Sequence, residues 1–303
     1  MVSPLDMPLL PAFALIHLTG LSVNLLILAV KCMEWRQNID LNACDVIIAS
    51  LGGCNLLLQC ATFAKQFFFT YWYKTFSDGR VALPFLVTGY ALFSCSIWFS
   101  TWLSVYYCLK IGNSKQSIFL WLEVRFHKVV PWLLLGSVIE SVAISLPLIW
   151  DLEIPFPANQ TSYAPRIMSR CSCIYQFHVA VHFLALTICC CAAVAILLSL
   201  WRHVRRMQQN AESFRSAQLG AHLGAVKTVT ALLILYVASS ILLTLTVVLH
   251  QIEDSKSAAL INAILYSALP SVNGFILIMG NTRLKKAVCV FILCGKCGET
   301  EGA

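Results

Sequence analysis

QFHVAVHFLALTICCCAAVAILLSLW occupies residues 176–201, and RHVRRM follows it at 202–207. The first string holds no Lys, Arg, Asp or Glu, and at 1.5 Å per residue it is long enough as a helix to cross about 30 Å of hydrocarbon. The second gathers Arg202, Arg205 and Arg206 at one end of that span. An apolar run with cations massed at one end defines both a membrane crossing and the side on which it stops.

Working outward, six more runs of this kind flank it. The seven are Leu9 to Val30, Val46 to Ala64, Val81 to Leu109, Val129 to Trp150, Gln176 to Trp201, Val229 to Leu249 and Ala258 to Met279. With the N-terminus outside, 15 of the 21 Lys and Arg residues fall on the cytoplasmic side. The excess of cations on cytoplasmic loops therefore predicts N-terminus out and C-terminus in. The expected fold is an all-α membrane protein, a single seven-helix domain over 1–303, with a short cytoplasmic tail at 280–303.

Composition excludes the soluble classes. The chain is 59% hydrophobic and 12% charged, with a mean hydropathy of +0.77, against roughly 25% charged in soluble domains. The net charge of +7 is a topology signal, because the cations lie beside membrane helices where they meet anionic lipid; nucleic acid is not an expected partner. No basic region or small-residue cleavage pattern surrounds the first run, so it reads as a retained helix. Connections are short except 151–175, which places function in the bundle and its edges.

Asn159-Gln160-Thr161 is a glycosylation acceptor on the expected outer face. Of the 14 cysteines, most fall within helices, where a free thiol acts as a small hydrophobe. Cys171 and Cys173 lie outside, and a bond from Cys171 to Cys95 is one option. Cys294 and Cys297 have zinc-knuckle spacing without a second pair, so no metal is expected. With Cys289, they suit juxtamembrane palmitoylation or plain interfacial thiols.

Enzyme motifs are absent, and the chain is read as no enzyme and as needing no cofactor. Chemistry then rests on a few polar and aromatic residues within the spans. Glu140 sits near mid-depth in helix four, either as a ligand contact or as a neutral acid bonded to a neighbouring helix. His178 and His182, spaced i, i+4, share a face of helix five. Asn24 and Asn55 are candidates for a hydrogen bond between helices one and two, of the order of 1 kcal/mol. Trp98, Phe99 and Trp102 form an aromatic set that either lines a cavity for planar apolar compounds or packs helices. On the other side, the alternation from Lys115 to Lys128 suits a short amphipathic helix in the membrane surface. It carries Trp121 and Arg125.

Helix three ends in Tyr106-Tyr107-Cys108-Leu109-Lys110 where rhodopsin-like receptors carry Asp/Glu-Arg-Tyr, and helix seven lacks Asn-Pro-x-x-Tyr. Leu103 to Ile111 with Ile118-Phe119-Leu120-Trp121-Leu122, Leu197 to His203 reaching Met207-Gln208, Ala221-His222-Leu223-Gly224-Ala225-Val226-Lys227, and Phe275 to Asn281 reaching Leu284-Lys285 together resemble the vertebrate bitter taste receptor (type 2 taste receptor) family of G-protein-coupled receptors, as a divergent member. The resemblance implies a plasma-membrane receptor for bitter small molecules, set among membrane lipids, that activates a gustducin-type heterotrimeric G protein. It aligns Trp98, Trp102, Ala263 and Tyr266 with the agonist pocket and Asn159 with the glycosylated loop asparagine. Phe99, His178 and His182 join the ligand-binding candidates. Tyr106, Lys110, Asn24, Asn55, Ser239 and Asn273 become activation or structural positions, and Trp121, Arg125, His203, Arg206, His222, Lys227 and Lys285 face the G protein. The chain departs from the family at Asn55, where arginine is usual, at Asn273-Gly274 in place of a His-Ser pair, and at Ser239 in place of a tyrosine. The rival classes are a vomeronasal type 1 pheromone receptor and a transporter or channel whose polar path would join Glu140, Asn55, Asn24 and Asn273. Gly280-Asn281 followed by Leu284-Lys285 favours the taste reading over the first.

Overall fold

The computed structural model describes residues 9–37, 42–72, 79–111, 117–153, 168–169, 172–210, 226–239, 241 and 256–290. Its long helices are α1 (Leu9–Arg36), α2 (Ala43–Tyr71), α3 (Gly79–Ile111), α4 (Ser117–Ser145), α5 (Ser172–Asn210), α6 (Val226–Ser239), α7 (Lys256–Gly280) and α8 (282–290). A single turn, Leu148–Asp151, follows α4, and the strands β1 (Leu152–Glu153) and β2 (Met168–Ser169) pair antiparallel. Five helices, α1 to α5, contain spans long and apolar enough to cross a membrane, while the apolar segments Val226–Ser239 and Tyr266–Gly280 are shorter.

Several helices run past the ends expected from the sequence, α1 to Arg36 and α5 from Ser172 to Asn210 among them, and two of the differences have a clear local cause. α2 runs past Lys65 to Tyr71, since a lone lysine does not stop a helix whose neighbours are apolar. The stretch expected as a separate surface helix from Lys115 to Lys128 enters α4 without a break. Nothing between Ser117 and Val130 is glycine or proline, and the helix continues through Pro131.

The packing follows the rule for helices in lipid, where apolar side chains gain nothing by turning inward and small or polar residues mediate helix contacts. α4 presents Trp132, Leu135, Ile139 and Val142 outward at alternating three- and four-residue spacing. The interior instead holds Ser96, Ser100, Thr101, Ser104, Asn24, Asn55 and Asn273, all buried. Many of these hydroxyls donate to the carbonyl four residues earlier, as Ser100 does to Ser96 (2.9 Å) and Ser104 to Ser100 (3.0 Å), so each needs no other donor site. Around them runs an apolar core including Ile27, Ile47, Leu51, Leu103, Leu277 and Leu284.

Call the end of the bundle where α1 begins the near end, and that where it finishes the far end. At the far end Asn42 caps α2, its side chain accepting from the Asp45 amide (3.0 Å) while Asp45 accepts from the Asn42 amide (3.3 Å), a reciprocal box that satisfies two orphan donors. Asp45 also takes the Lys31 ammonium at 2.7 Å, and Glu34 takes it at 2.8 Å. Lys31 is only 2% exposed. The sequence reading counted it as a loop-flanking cation; it is the centre of a buried ion cluster. Asn281 begins α8 by accepting from the amides of Arg283 (3.0 Å) and Leu284 (3.2 Å), the N-cap arrangement. Arg283 then lies 3.9 Å from Glu34 and 4.0 Å from Asp45. α1, α2 and α8 are thus joined by charge.

Candidate functional site

α3 turns its small hydroxyl residues Ser96, Ser100 and Ser104 inward along one face, and its larger side chains are sorted by the neighbours they meet. Residues four apart share a face, and two such faces matter.

The first carries Phe93 and Ile97. Phe93 meets Tyr266 of α7 at 4.9 Å between ring centroids and His182 of α5 at 5.7 Å, the latter edge-on. Tyr236 of α6 donates its hydroxyl to the Ile97 carbonyl at 3.2 Å. Rings from α3, α5 and α7 therefore converge in the near half of the bundle, with α6 tied to the same turn. Gly89, one turn toward the start of α3, has no atom within 4 Å of where a Cβ would stand.

The second face carries Trp98 and Trp102, stacked at 5.8 Å and 24°. The Trp102 indole donates to Ser137 of α4 at 2.9 Å, and Trp98 lies beside Glu140 of the same helix. The ring that meets Tyr266 is Phe93, and Trp98 is buried in the same apolar cluster as Phe93 and Tyr236, against which Trp102 and Tyr266 pack. Five residues of α-helix separate Phe93 from Trp98, which rotates the side chain by about 140°. Phe99, one position on, points elsewhere again and joins the main core. Substituting Trp102 by Phe is expected to cost about 1 kcal/mol through the lost Ser137 bond, read as a lower thermal midpoint of the purified protein with unchanged ligand response.

Further polar expectations are redistributed. Asn24 donates to Gly20 (2.8 Å) and to the Pro270 carbonyl of α7 (3.2 Å); Asn55 accepts from Ser96 of α3 at 2.8 Å. The two asparagines are each engaged, but not with one another. Asn273 donates to Ser96 and Ser100, both at 3.4 Å, so α2, α3 and α7 meet in one polar knot. Glu140 accepts from its neighbour Ser141 at 3.4 Å and lies on the α4 side, apart from that knot. Ser239 is buried and donates to the Leu235 carbonyl at 2.7 Å. Cys95 is a free buried thiol, so the option of a bond to Cys171 is not taken.

At the far end Lys110 donates to Tyr106 at 3.2 Å and lies over its ring, while Tyr106 packs on Phe126 at 6.0 Å. Lys110, Arg125, Lys227 and Lys285 are all exposed there. His178, Ala263, Trp121, His203 and Arg206 lie on described helices, but their side chains lie outside the described set. Asn159, Cys171, His222, Cys294 and Cys297 lie outside the described residues. Among the described residues no three His, Cys, Asp or Glu side chains come together as a metal site.

Sequence reasoning missed Phe93, Tyr236 and Gln59. Tyr236 lies one turn before Ser239 and reaches α3 from the same helix, so the i, i+3 neighbour of a position expected to hold tyrosine was the usable signal. Gln59 donates to the Ser267 carbonyl (3.0 Å) and to Ser271 (2.7 Å); a glutamine within an apolar span was sufficient cause to look for a partner.

Apolar helices joined through small polar side chains, with an aromatic convergence near one end, define a helical membrane protein with a candidate small-molecule site. Comparison with known proteins narrows this. The family Taste receptor protein (TAS2R) matches residues 1–296. Similar proteins include Taste receptor type 2 member 7 of Macaca mulatta, 29% identical over 280 residues and covering 88% of this chain and 87% of that one. Taste receptor type 2 member 40 of Gallus gallus is 32% identical over 275 residues, covering 88% of each, and member 7 of Rattus norvegicus is 28% identical over 299 residues, covering 91% of each. The chain belongs to the type 2 taste receptor family.

Proposed function

We propose that this protein is a plasma-membrane receptor with its N-terminus outside, which detects bitter small molecules at the near end of the bundle and activates a gustducin-type heterotrimeric G protein at the far end. The observation that carries the reading is the meeting of Phe93, His182 and Tyr266 from three helices. Such a group offers flat apolar surface with one imidazole and one phenol for orientation, the composition that small-molecule sites favour. Gly89 on the adjoining turn leaves room beside it. Family membership supports the taste function, and the exposed cations Lys110, Arg125, Lys227 and Lys285 suit a negatively charged cytoplasmic partner or leaflet.

Within this reading Trp102 fixes α3 against α4 through Ser137, and Trp98 backs the cluster that holds Phe93 and Tyr236. A bound agonist shifts the receptor only by its differential affinity for two arrangements, and Tyr236, which ties α6 to Ile97, is the contact through which a ligand on Phe93 reaches α6. The test is agonist-evoked calcium release in cells co-expressing a promiscuous G protein, screened with a panel of bitter compounds. Phe93→Ala and Gly89→Leu are each expected to raise the half-maximal concentration at least tenfold at equal surface expression. Unchanged dose responses in both would reject this pocket, and a response that persists in cells lacking G proteins would reject the coupling.

A further inference from the structure

A cavity of about 20 Å³ lies between α2, α3, α6 and α7, lined by Ser96, Ile97, Tyr236, Ser239, Leu269 and Asn273 among others. That is room for one water molecule, for which 10–15 Å³ suffices. The chemistry of its wall is one-sided. Ser96 spends its proton on Asn55 (2.8 Å), Ser239 on the Leu235 carbonyl (2.7 Å), and Tyr236 on the Ile97 carbonyl (3.2 Å). The Asn273 amide spends its donors on Ser96 and Ser100. What these groups have left is lone pairs, and the Asn273 Oδ1 has no partner at all although the residue is 3% exposed. A buried carbonyl oxygen left without a donor carries its full desolvation penalty, so the site calls for an occupant that donates.

We propose that this cavity is an internal water site, in which one water donates to Asn273 Oδ1 and to a lining hydroxyl oxygen of Ser96, Ser239 or Tyr236, and so joins α3, α6 and α7. A sodium ion would also satisfy acceptors, but the lining holds no carboxylate among the described residues, and an ion stripped of its hydration without a counter-charge is far costlier to bury than a neutral water. Phe93 also lines the cavity, so the water site adjoins the aromatic group at Phe93 and Tyr266; the need of Asn273 Oδ1 for a donor stands whatever that group binds. It lies at Pro270, which also lines the cavity. A proline inside a helix removes one backbone hydrogen bond and permits bending, so the water sits where α7 is least restrained.

The experiment is radiolytic footprinting of the full chain in lipid nanodiscs, with oxygen-18 water mixed in before a brief X-ray pulse. Tyr236 and Leu269 are expected to be hydroxylated although buried in the bundle, and to take up the heavy isotope more slowly than exposed Tyr71. Asn273→Leu and, independently, Ser239→Val are expected to lower that modification several-fold while Tyr71 is unaffected. Absence of modification at Tyr236 and Leu269 in the unaltered protein, or equal modification in both variants, overturns the proposal. So does a thermal stability raised by sodium over choline at equal ionic strength and lost in Asn273→Leu, which would assign the cavity to a cation.

Discussion

Replacing Lys31 by methionine is expected to destabilise the folded protein by about 3–5 kcal/mol, the range for removing one partner of a buried ion pair. The length and the apolar stem of the side chain are kept, so what is lost is the charge. Lys31 is held by Glu34 at 2.8 Å and Asp45 at 2.7 Å, and without it two buried carboxylates face one another with, among the described residues, Arg283 as the cation beside both, at 3.9 and 4.0 Å and 52% exposed. An arginine that distant and that well solvated offsets little of the repulsion. Asp45 also belongs to the capping box of α2, so the repulsion is applied to the turn that starts that helix. Surface expression should fall steeply, and the thermal midpoint of the residual folded protein should drop. The double variant Lys31→Met with Asp45→Asn keeps the hydrogen-bonding shape of the cap while removing one of the two charges. It should recover more than half of the loss, a coupling that a double-mutant cycle measures directly. If the single change is tolerated, or if the double variant is no better, the ion cluster is not what joins α1, α2 and α8.

Lys31 also shows where sequence reading was adequate and where it was blind. Counting cations by connection is sound for finding spans, because each charge resists hydrocarbon independently of its neighbours. The same counting treats every lysine as solvated, so a lysine paired to an aspartate fourteen residues later, on the next helix, looks like a loop charge. Five of the spans were legible as helices long enough to cross a membrane, since length and apolarity are properties of contiguous residues. Their faces were not. In a soluble protein the polar side of a helix marks the outside, whereas α3 turns Ser96, Ser100 and Ser104 inward and its orientation is set by what it touches. Trp98, Phe99 and Trp102 read as one aromatic set for that reason, although successive residues diverge by about 100°. The asparagines stand out in the sequence as polar groups within apolar spans, but their partners Pro270 and Ser96 lie on helices distant in sequence, and nothing local specifies them. The family motifs at Tyr106 to Lys110 and Phe275 to Asn281 were legible without any structure, and they carried the assignment that the comparison then made firm.

Gly20→Ala is expected to be the most damaging small substitution in the bundle, costing about 2–5 kcal/mol from overpacking together with a broken buried hydrogen bond. A Cβ at Gly20 would fall against both Gln59 Nε2 and Ser271 Oγ, and within 2.9 Å of Gln59 Cδ. Those two polar atoms are bonded to each other at 2.7 Å, so the methyl group would stand beside the bond that joins α2 to α7. Gln59 cannot retreat, because its amide also donates to the Ser267 carbonyl at 3.0 Å and the residue is fully buried. Ser271 is held in turn by the Ile16 carbonyl of α1 at 3.2 Å. Either the amide swings away and loses partners in a medium without water, or α1 moves off α7 and opens the contact made by Asn24 to Pro270. The control is Gly136→Ala on α4, where a Cβ meets nothing within 4 Å. There the better helix propensity of alanine should leave stability unchanged or improve it by up to about 1 kcal/mol. Thermal unfolding of the two variants in matched nanodiscs distinguishes a steric seam between α1, α2 and α7 from a general intolerance of α-helical glycines to substitution: equal loss at both positions would mean that close approach at Gly20 is not what holds these helices together.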